Sequence, residues 1–589
     1  MKIKVAETAG FCWGVRRAID KVLKLREETS GRIQTFGPLI HNPQAMQSLE
    51  QRGISTADTL DELKAPTVVV RTHGITPQVR KELQKRATQI CDGTCPRVGL
   101  IHSLIKRSVR DGKTVIIAGD PGHAEVIGLS GYAAERGYVV SGPAEVEQLP
   151  DLEDVVLVAQ TTFSEAEYNK IAEVVRERFP GVEVHDTICD STHNRQAEVE
   201  ALAKASDVVI IIGGRNSANT RRLAELSASL GAPTHHIETD EELNPDMLEG
   251  VETVGVSAGA STPHWMIQRV VERLELIDAG RTSSLPKMIA RFLIASNIYV
   301  SLGAGLLCLL TTAMLAIPPL PHYVLIAGFY IFSMHLLSHF ADRTAVSHNE
   351  PMRFRLYYRH RLSMTIAGTV TAAGAITLAF ALGIWPGMLV LLATLTGPLY
   401  SVRIIPRRWK RTVKFRRLKD IPSSKDIFVA FAWSAVTVLV PAFHARLPML
   451  SMTVLTPMLG VFAMAYIRSV LFDIREIGGD RIVGKESLAT LIGGGKSQLL
   501  LALLTIAALL WFLISPFAGI SPYSGLLFLP PLLYLGTILI SFRIFSQPTT
   551  DGTRENSLQP VRRWSGLAVE TMIDFVFIFA GLLGLLAIW

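Results

Sequence analysis

From about residue 292 to its end the chain returns repeatedly to apolar runs of about twenty residues, and this divides it between two solvents. The runs fall near 292–316, 321–338, 362–383, 386–400, 426–443, 448–470, 498–517, 524–542 and 565–588. A helix of about 20 residues spans a hydrocarbon layer of about 30 Å. An all-α bundle of about nine transmembrane helices is therefore expected over residues 291–589. Charge divides at the same place. Residues 1–284 carry 32 Lys+Arg against 40 Asp+Glu, whereas residues 285–589 carry 27 against 12.

The basic residues of the second half sit in alternate loops. Segments 339–361, 401–425, 471–497 and 543–564 are long and basic, and 401–425 alone holds ten Lys and Arg. The intervening loops are short and nearly neutral. The positive-inside rule places the basic set in the cytoplasm. An odd number of spans then puts the N-terminal half on that side too, and Trp589 on the other. Residues 403–425 read as a topology signal that touches anionic lipid headgroups. The expected location is the inner (cytoplasmic) membrane.

Residues 1–277 alternate short β-branched runs with amphipathic stretches. Strands are expected at Thr67–Arg71, Thr114–Ala118, Val155–Ala159, Val208–Ile212 and Val254–Val256, and helices at Val15–Leu25, Arg97–Arg110, Glu165–Arg178 and Asn194–Ala205. This alternation predicts α/β units around parallel sheets. Residues 278–290 read as a linker by composition. Three loops, Gly10–Gly14, Cys91–Pro96 and Thr187–His193, each follow a strand-like piece, carry cysteine and open a helix, which suggests three pseudo-symmetric units. With no signal peptide evident, the half is expected in a reducing compartment, where cysteines are metal ligands or catalytic groups more often than disulfides. Thiolate is the ligand of iron–sulfur clusters, and a helix N-terminus favours its charge. Scattered buried cysteines are the plainer alternative. Cys308, within an apolar run, reads as a packing residue.

Polar segments recur at strand ends: 72–74, 122–125, 160–162, 214–219 and 257–261. They offer N–H groups, hydroxyls, amides and imidazoles, a set suited to a diphosphate at helix N-termini. There is no GxxxxGK[ST] and no GxGxxG, which argues against a nucleotide. Taken singly, each His or Thr is more often structural.

Together the segments AGFCWGVRRAI, TFGPLIHNPQ, RTHGI, CDGTCP, GHAEV, QTT, DTICDSTHNRQ, NSANTRRL and SAGASTP resemble, in order, the 4-hydroxy-3-methylbut-2-enyl diphosphate reductase family (LytB, IspH) over nearly all of residues 1–275. The resemblance implies three α/β units around a central [4Fe–4S] cluster with one iron free of cysteine, and a two-electron, two-proton reductive dehydroxylation. It implies Cys12, Cys95 and Cys189 as cluster ligands, with Cys91 a spare thiol. His41, His73, His123, Asn216, Ser217, Asn219 and Ser261 would hold the diphosphate. Glu125 would deliver protons, aided by Thr161 or Thr162. Reduced ferredoxin or flavodoxin would supply electrons, and no nucleic acid is expected as partner. Ala218 and Ala124 depart from the family's usual serine and proline.

In the second half, Asp473, Arg475, Glu476, Asp480 and Arg481 cluster near a membrane edge. Mg²⁺ prefers carboxylates with phosphate oxygens; a solvated charged loop is the plainer reading. The segment resembles the second Asp-rich motif of the UbiA membrane prenyltransferase family. Residues 342–353 (DRTAVSHNEPMR) resemble its first motif, with Val346 at an Asp position and Ser338 in place of Asn. The resemblance implies a Mg²⁺–diphosphate site from Asp342, Asn349, Arg353, Asp473, Glu476 and Asp480. The expectation is a bifunctional isoprenoid enzyme. Two alternatives stand beside it: a catalytically inactive anchor or lipid-binding module in the membrane half, and a cluster-bearing redox sensor in the first.

Overall fold

A computed structural model describes residues 1–29, 31–282, 285–341, 350–401, 423–483, 487–546 and 566–588. The described chain divides into two compact units, with the boundary at Asp278 and Ala279. Residues 278–290 were expected as a linker; their described part belongs to the helices His264–Thr282 and Leu285–Ala295.

The first unit holds twelve strands: β1 (Lys2–Val5), β2 (Ile33–Phe36), β3 (Ile54–Ala57), β4 (Thr67–Val70), β5 (Gln89–Asp92), β6 (Thr114–Ala118), β7 (Gly137–Val140), β8 (Val155–Ala159), β9 (Glu183–Val184), β10 (Val208–Ile212), β11 (Thr234–Ile237) and β12 (Thr253–Ala258). They form three four-stranded sheets, ordered β1-β12-β10-β11, β3-β2-β4-β5 and β7-β6-β8-β9. Every pairing is parallel. The central strands are near-continuous apolar runs because helices cover both faces. Successive residues of β6 point to opposite cores. Val115 and Ile117 meet Ile105 and Leu129, while Ile116 and Ala118 join the core of Ile171 and Val175.

All the expected strands form, although Arg71 lies beyond β4. The four expected helices are Trp13–Glu28, Pro96–Arg110, Glu165–Arg178 and Asp190–Lys204. The carboxyl end of each long strand leads into a polar loop and then a helix N-terminus, so the candidate residues collect at strand ends.

The second unit is all-helical among the described residues. Seven helices are long and apolar enough to cross a membrane, and eight if one bent pair counts as a span. About nine were expected. The difference has two sources. Helices Met288–Ala295 and Ile298–Met314 meet at 74°, and residues 384–397 form a shorter apolar helix. The bend falls at Asn297, whose φ of 63° is left-handed and whose buried amide donates to the Tyr357 hydroxyl at 2.6 Å. Asn tolerates that conformation better than most residues. Orientation by the parity of nine spans therefore depends on counting both segments.

Glycine lets the first and last long helices touch. A Cβ on Gly584 would stand 2.1 Å from the Leu310 nitrogen, and one on Gly581 2.6 Å from the Leu306 Cβ. Such backbone approach is the usual means of packing helices in lipid. Large apolar side chains such as Leu362, Val370, Leu392 and Leu586 are exposed on the outside of this bundle. This unit is that of a multi-pass membrane protein.

Candidate active site

Three helices begin at cysteine. Cys12, Cys95 and Cys189 are the N-cap residues of Trp13–Glu28, Pro96–Arg110 and Asp190–Lys204. Each is fixed by its own backbone N–H. Cys12 donates to the Ala260 carbonyl (3.1 Å), Cys95 to that of Thr72 (2.8 Å) and Cys189 to that of Thr161 (3.0 Å). A loop from a different strand thus holds each thiol. The Cys12 sulfur accepts from the Val15 N–H at 3.5 Å. Burial pushes the free thiols of Cys95 and Cys189 up, against nearby backbone N–H groups that lower them.

All three sulfurs line one cavity, which encloses about 720 Å³ of empty space including its mouth. Gly14 keeps two of them close. A Cβ there would lie 2.6 Å from the Cys95 sulfur and 3.9 Å from the Cys12 sulfur, so the sulfurs are separated by no more than the sum of those distances. Cys91 is not among the lining residues; it packs against the apolar core beneath β2 and β4.

His41, His73 and His123 form one wall. Each offers a ring nitrogen within 4.8 Å of the others. Gly74, at φ +73°, makes the turn that follows His73, and a Cβ there would strike His102 at 2.5 Å. The His123 Nδ1 accepts from the Glu125 N–H (3.2 Å), which leaves the neutral ring's proton on Nε2. Buried ring nitrogens of His41 (Nε2) and His73 (Nδ1) have no hydrogen-bond partner among the described residues. Burial holds all three rings below the usual imidazole range, His73 well below and His123 down to about 4. Mutual repulsion and the Arg71 charge add to this.

An anion entering this wall reverses the balance and draws protons onto the rings. Inorganic diphosphate is accordingly expected to bind more tightly as pH falls from 8 to 6. Calorimetry in buffers of different ionisation enthalpy reads the proton uptake directly. Zero uptake and a flat affinity would show that the histidines stay neutral when the anion binds.

Glu125 is 1% exposed. Its Oε1 accepts from the Thr161 N–H (2.7 Å) and its Oε2 from the Thr161 hydroxyl (2.8 Å). Burial pushes the carboxyl up to about 7, although both Thr161 bonds and the Arg222 charge oppose this. Arg222 is held by Asp120 (2.5 Å) and by the Thr162 carbonyl (2.6 Å). Glu125, Thr161 and Thr162 all reach the cavity. The acid thus lines the same cavity as the thiols and the histidines.

Of the 214–219 loop, Asn219 lines the cavity and its buried Nδ2 has no partner among the described residues. Ser217 is buried, but its hydroxyl caps the helix Ala218–Ser229 by accepting from the Thr220 N–H (3.4 Å). Asn216 is exposed and is not a lining residue, because it precedes the cap and faces outward. Ser261 lines the cavity and donates to the His41 carbonyl at 3.1 Å. Thr72, from the 72–74 segment, also lines it, as do Arg97, Ser191 and Thr192, to which sequence reasoning gave no role. Ser191 and Thr192 had a signal: both lie in the cysteine loop Thr187–His193.

The "LytB protein" family model matches residues 3–275. The chain is 40% identical over 271 residues to a protein of Anaeromyxobacter sp. (strain Fw109-5) named 4-hydroxy-3-methylbut-2-enyl diphosphate reductase, covering 95% of that protein and 46% of this chain. The chain belongs to the LytB family. A Geobacter sulfurreducens protein of the same name is 42% identical over 281 residues, which is 98% of it and 47% of this chain. LytB relatives therefore account for the first unit and not the second. A solved structure described as a UbiA homolog from Archaeoglobus fulgidus bound to GPP and Mg²⁺ covers 49% of this chain and 99% of its own, at 15% identity and a TM-score of 0.34.

Beyond the LytB segment, the membrane unit buries several charges. Arg353 pairs with Glu350 (2.6 Å) and Glu570 (2.7 Å), and Glu570 also meets Arg475 (3.2 Å). Arg468 pairs with Asp574 at 2.5 Å. Asp473 lies 3.6 Å from the Lys425 ammonium. Asp342 and Asn349 lie outside the described residues, as do the side chains of Glu476 and Asp480. Arg353 was expected at a diphosphate; in this structure Glu350 and Glu570 hold its guanidinium. Arg353→Ala removes the cation between Glu350 and Glu570 and leaves Glu570 with Arg475 alone, and breaking such a buried pair costs about 3–5 kcal/mol. A lowered thermal midpoint in detergent checks this; an unchanged midpoint would show that the pairing adds nothing.

Proposed function

We propose that the first unit reduces 4-hydroxy-3-methylbut-2-enyl diphosphate to isopentenyl and dimethylallyl diphosphates at a [4Fe–4S] cluster held by Cys12, Cys95 and Cys189. The observation that carries this is the convergence of three cysteines at helix N-cap positions on the cavity that also holds a buried acid and three histidines. Four features fit the cluster: soft donors, three in number, at helix N-termini, around space that a Gly14 side chain would fill. When bound, such a cluster supplies electrons and a Lewis-acidic iron free of cysteine.

The chain's own groups then divide the work. His41, His73, His123, Asn219 and Ser261 bind the diphosphate and fix the carbon chain relative to the thiols, and Ser217 supports them by capping its helix. Asn216 is left without a role. Glu125, protonated near neutral pH, passes a proton through the Thr161 hydroxyl to the departing oxygen; Thr162 is held beside it. The C–O bond breaks, a C–H bond forms, and water leaves. Two electrons and two protons are consumed, the electrons coming from reduced ferredoxin or flavodoxin. An anaerobic assay of the full chain with reduced methyl viologen, with iron and sulfide quantified in the same sample, tests the proposal. Full cluster without turnover would favour the redox sensor.

For the second unit we propose a UbiA-like prenyltransferase using Mg²⁺ and a prenyl diphosphate at Asp342, Asn349, Asp473, Glu476 and Asp480. It would lie in the cytoplasmic membrane, with the first unit in the cytoplasm. Support comes from the motif at Asp473–Asp480 and from the buried charges, which are rare in membrane interiors and usually functional. The occupied Arg353 and the Val346 and Ser338 replacements favour the second reading, an inactive anchor. Asp473→Asn with Asp480→Asn is expected to abolish prenyl transfer and leave membrane association intact. Wild-type protein inactive with every acceptor supplied supports the anchor.

A further inference from the structure

Arg195 lies within the helix that opens at Cys189 and is 2% exposed. Its Nη1 donates to the Ala258 carbonyl (3.0 Å), at the end of β12, and its Nη2 to the Gly10 carbonyl (2.7 Å), in the loop before Cys12. Its Nε is buried without a partner among the described residues. Carbonyls satisfy N–H groups but do not neutralise a charge, and a guanidinium is rarely buried without an anion. Glu198, three residues on, exerts some pull, but its Oε2 already accepts from the Thr8 N–H (2.9 Å) and hydroxyl (2.6 Å).

A cysteine pair held as thiols offers no anion. An iron–sulfur cube on three thiolates would, and the Gly10 carbonyl that Arg195 holds lies two residues from Cys12. We propose that Arg195 is the fixed counter-charge of the cluster and a positioning residue that raises the potential at which the cluster accepts an electron. This rests on the cluster reading above. The argument is electrostatic. Each one-electron reduction adds one negative charge to the cube, and a positive charge fixed in a low-dielectric interior favours the more negative state. The two carbonyl bonds hold that charge, carried by the helix of Cys189, between the loop of Cys12 and the end of β12 without offsetting it. Nothing in the diphosphate wall or the Glu125 relay requires a cation at this position.

The test uses the full-length chain, anaerobically reconstituted, with Arg195→Gln and Arg195→Lys beside the wild type. Iron and sulfide are counted, and each cluster is titrated with dithionite against redox mediators while its absorbance and electron paramagnetic resonance are followed. In Arg195→Gln the ratio of reduced to oxidised cluster at a fixed potential near the midpoint is expected to fall about tenfold, a shift of about 59 mV for one electron. Arg195→Lys, which keeps the charge, should stay near the wild type.

A fully loaded Arg195→Gln with an unmoved potential overturns the proposal. So does a loaded Arg195→Lys shifted as far as the glutamine variant, since geometry rather than charge is then at work. If Arg195→Gln takes up no iron, Arg195→Lys decides. Loading at the wild-type potential supports a need for charge; failure of both makes Arg195 a structural brace and overturns it. Wild-type chain without iron and sulfide would defeat the underlying cluster reading instead.

Discussion

Serine at Cys12, Cys95 or Cys189 is expected to yield a folded chain with little iron and sulfide and no measurable reductase turnover. The expectation follows from where the sulfurs sit. Each caps a separate helix, and each backbone N–H is already committed to a carbonyl of another loop. Serine is itself a good N-cap, so the helix start survives the exchange. The loss falls on the soft donor, because a hydroxyl does not replace a thiolate toward iron. Cys91→Ser is the control. It changes a thiol of the same unit that packs away from the cavity, so iron content and rate should hold. Equal loss from all four would mean that the variants fail by misfolding, and equal retention would remove the cluster from the account.

Glu125→Gln should keep the cluster and lose about 10²–10⁴ in turnover, the usual worth of a positioned general acid. The amide matches the carboxyl in shape but carries no transferable proton. The Thr161 hydroxyl loses the partner that fills it after donation. The pH dependence gives an independent check. Because burial raises the carboxyl to about 7, the proton is present below that value and lost above it, so turnover should fall as pH rises through about 7. The same shift bears on stability. A carboxyl whose folded value exceeds its unfolded one favours the fold fully below the unfolded value, and that contribution is lost as pH rises from about 4.5 to about 7. Glu125→Gln should flatten both trends between those limits. A variant retaining wild-type rate and profile would exclude Glu125 as the proton source.

The strands were legible because buried parallel strands are continuous β-branched runs, as in Val208–Ile212 and Val155–Ala159. The cysteine loops were legible as strand–loop–helix junctions. Arg195 was not, because arginine is ordinarily exposed and nothing in local sequence distinguishes a buried one. Asn216 and Asn219 looked equivalent in the sequence. The helix start between them turns the second inward and leaves the first outside. In the membrane unit, hydropathy reads apolar length and is blind to the bend at Asn297, so 292–316 read as one straight span. It is equally silent on pairing, and did not show that Glu350 and Glu570 hold Arg353.

The first strand of the chain, Lys2–Val5, has its hydrogen-bonded neighbour at Thr253–Ala258, and the Cys12 amide waits for Ala260. During translation the earliest thiol therefore leaves the ribosome long before its scaffold exists. The pocket proposed to hold the cluster is thus completed late. Its completion follows synthesis of nearly the whole first unit, when the first apolar segments are already next in line for insertion.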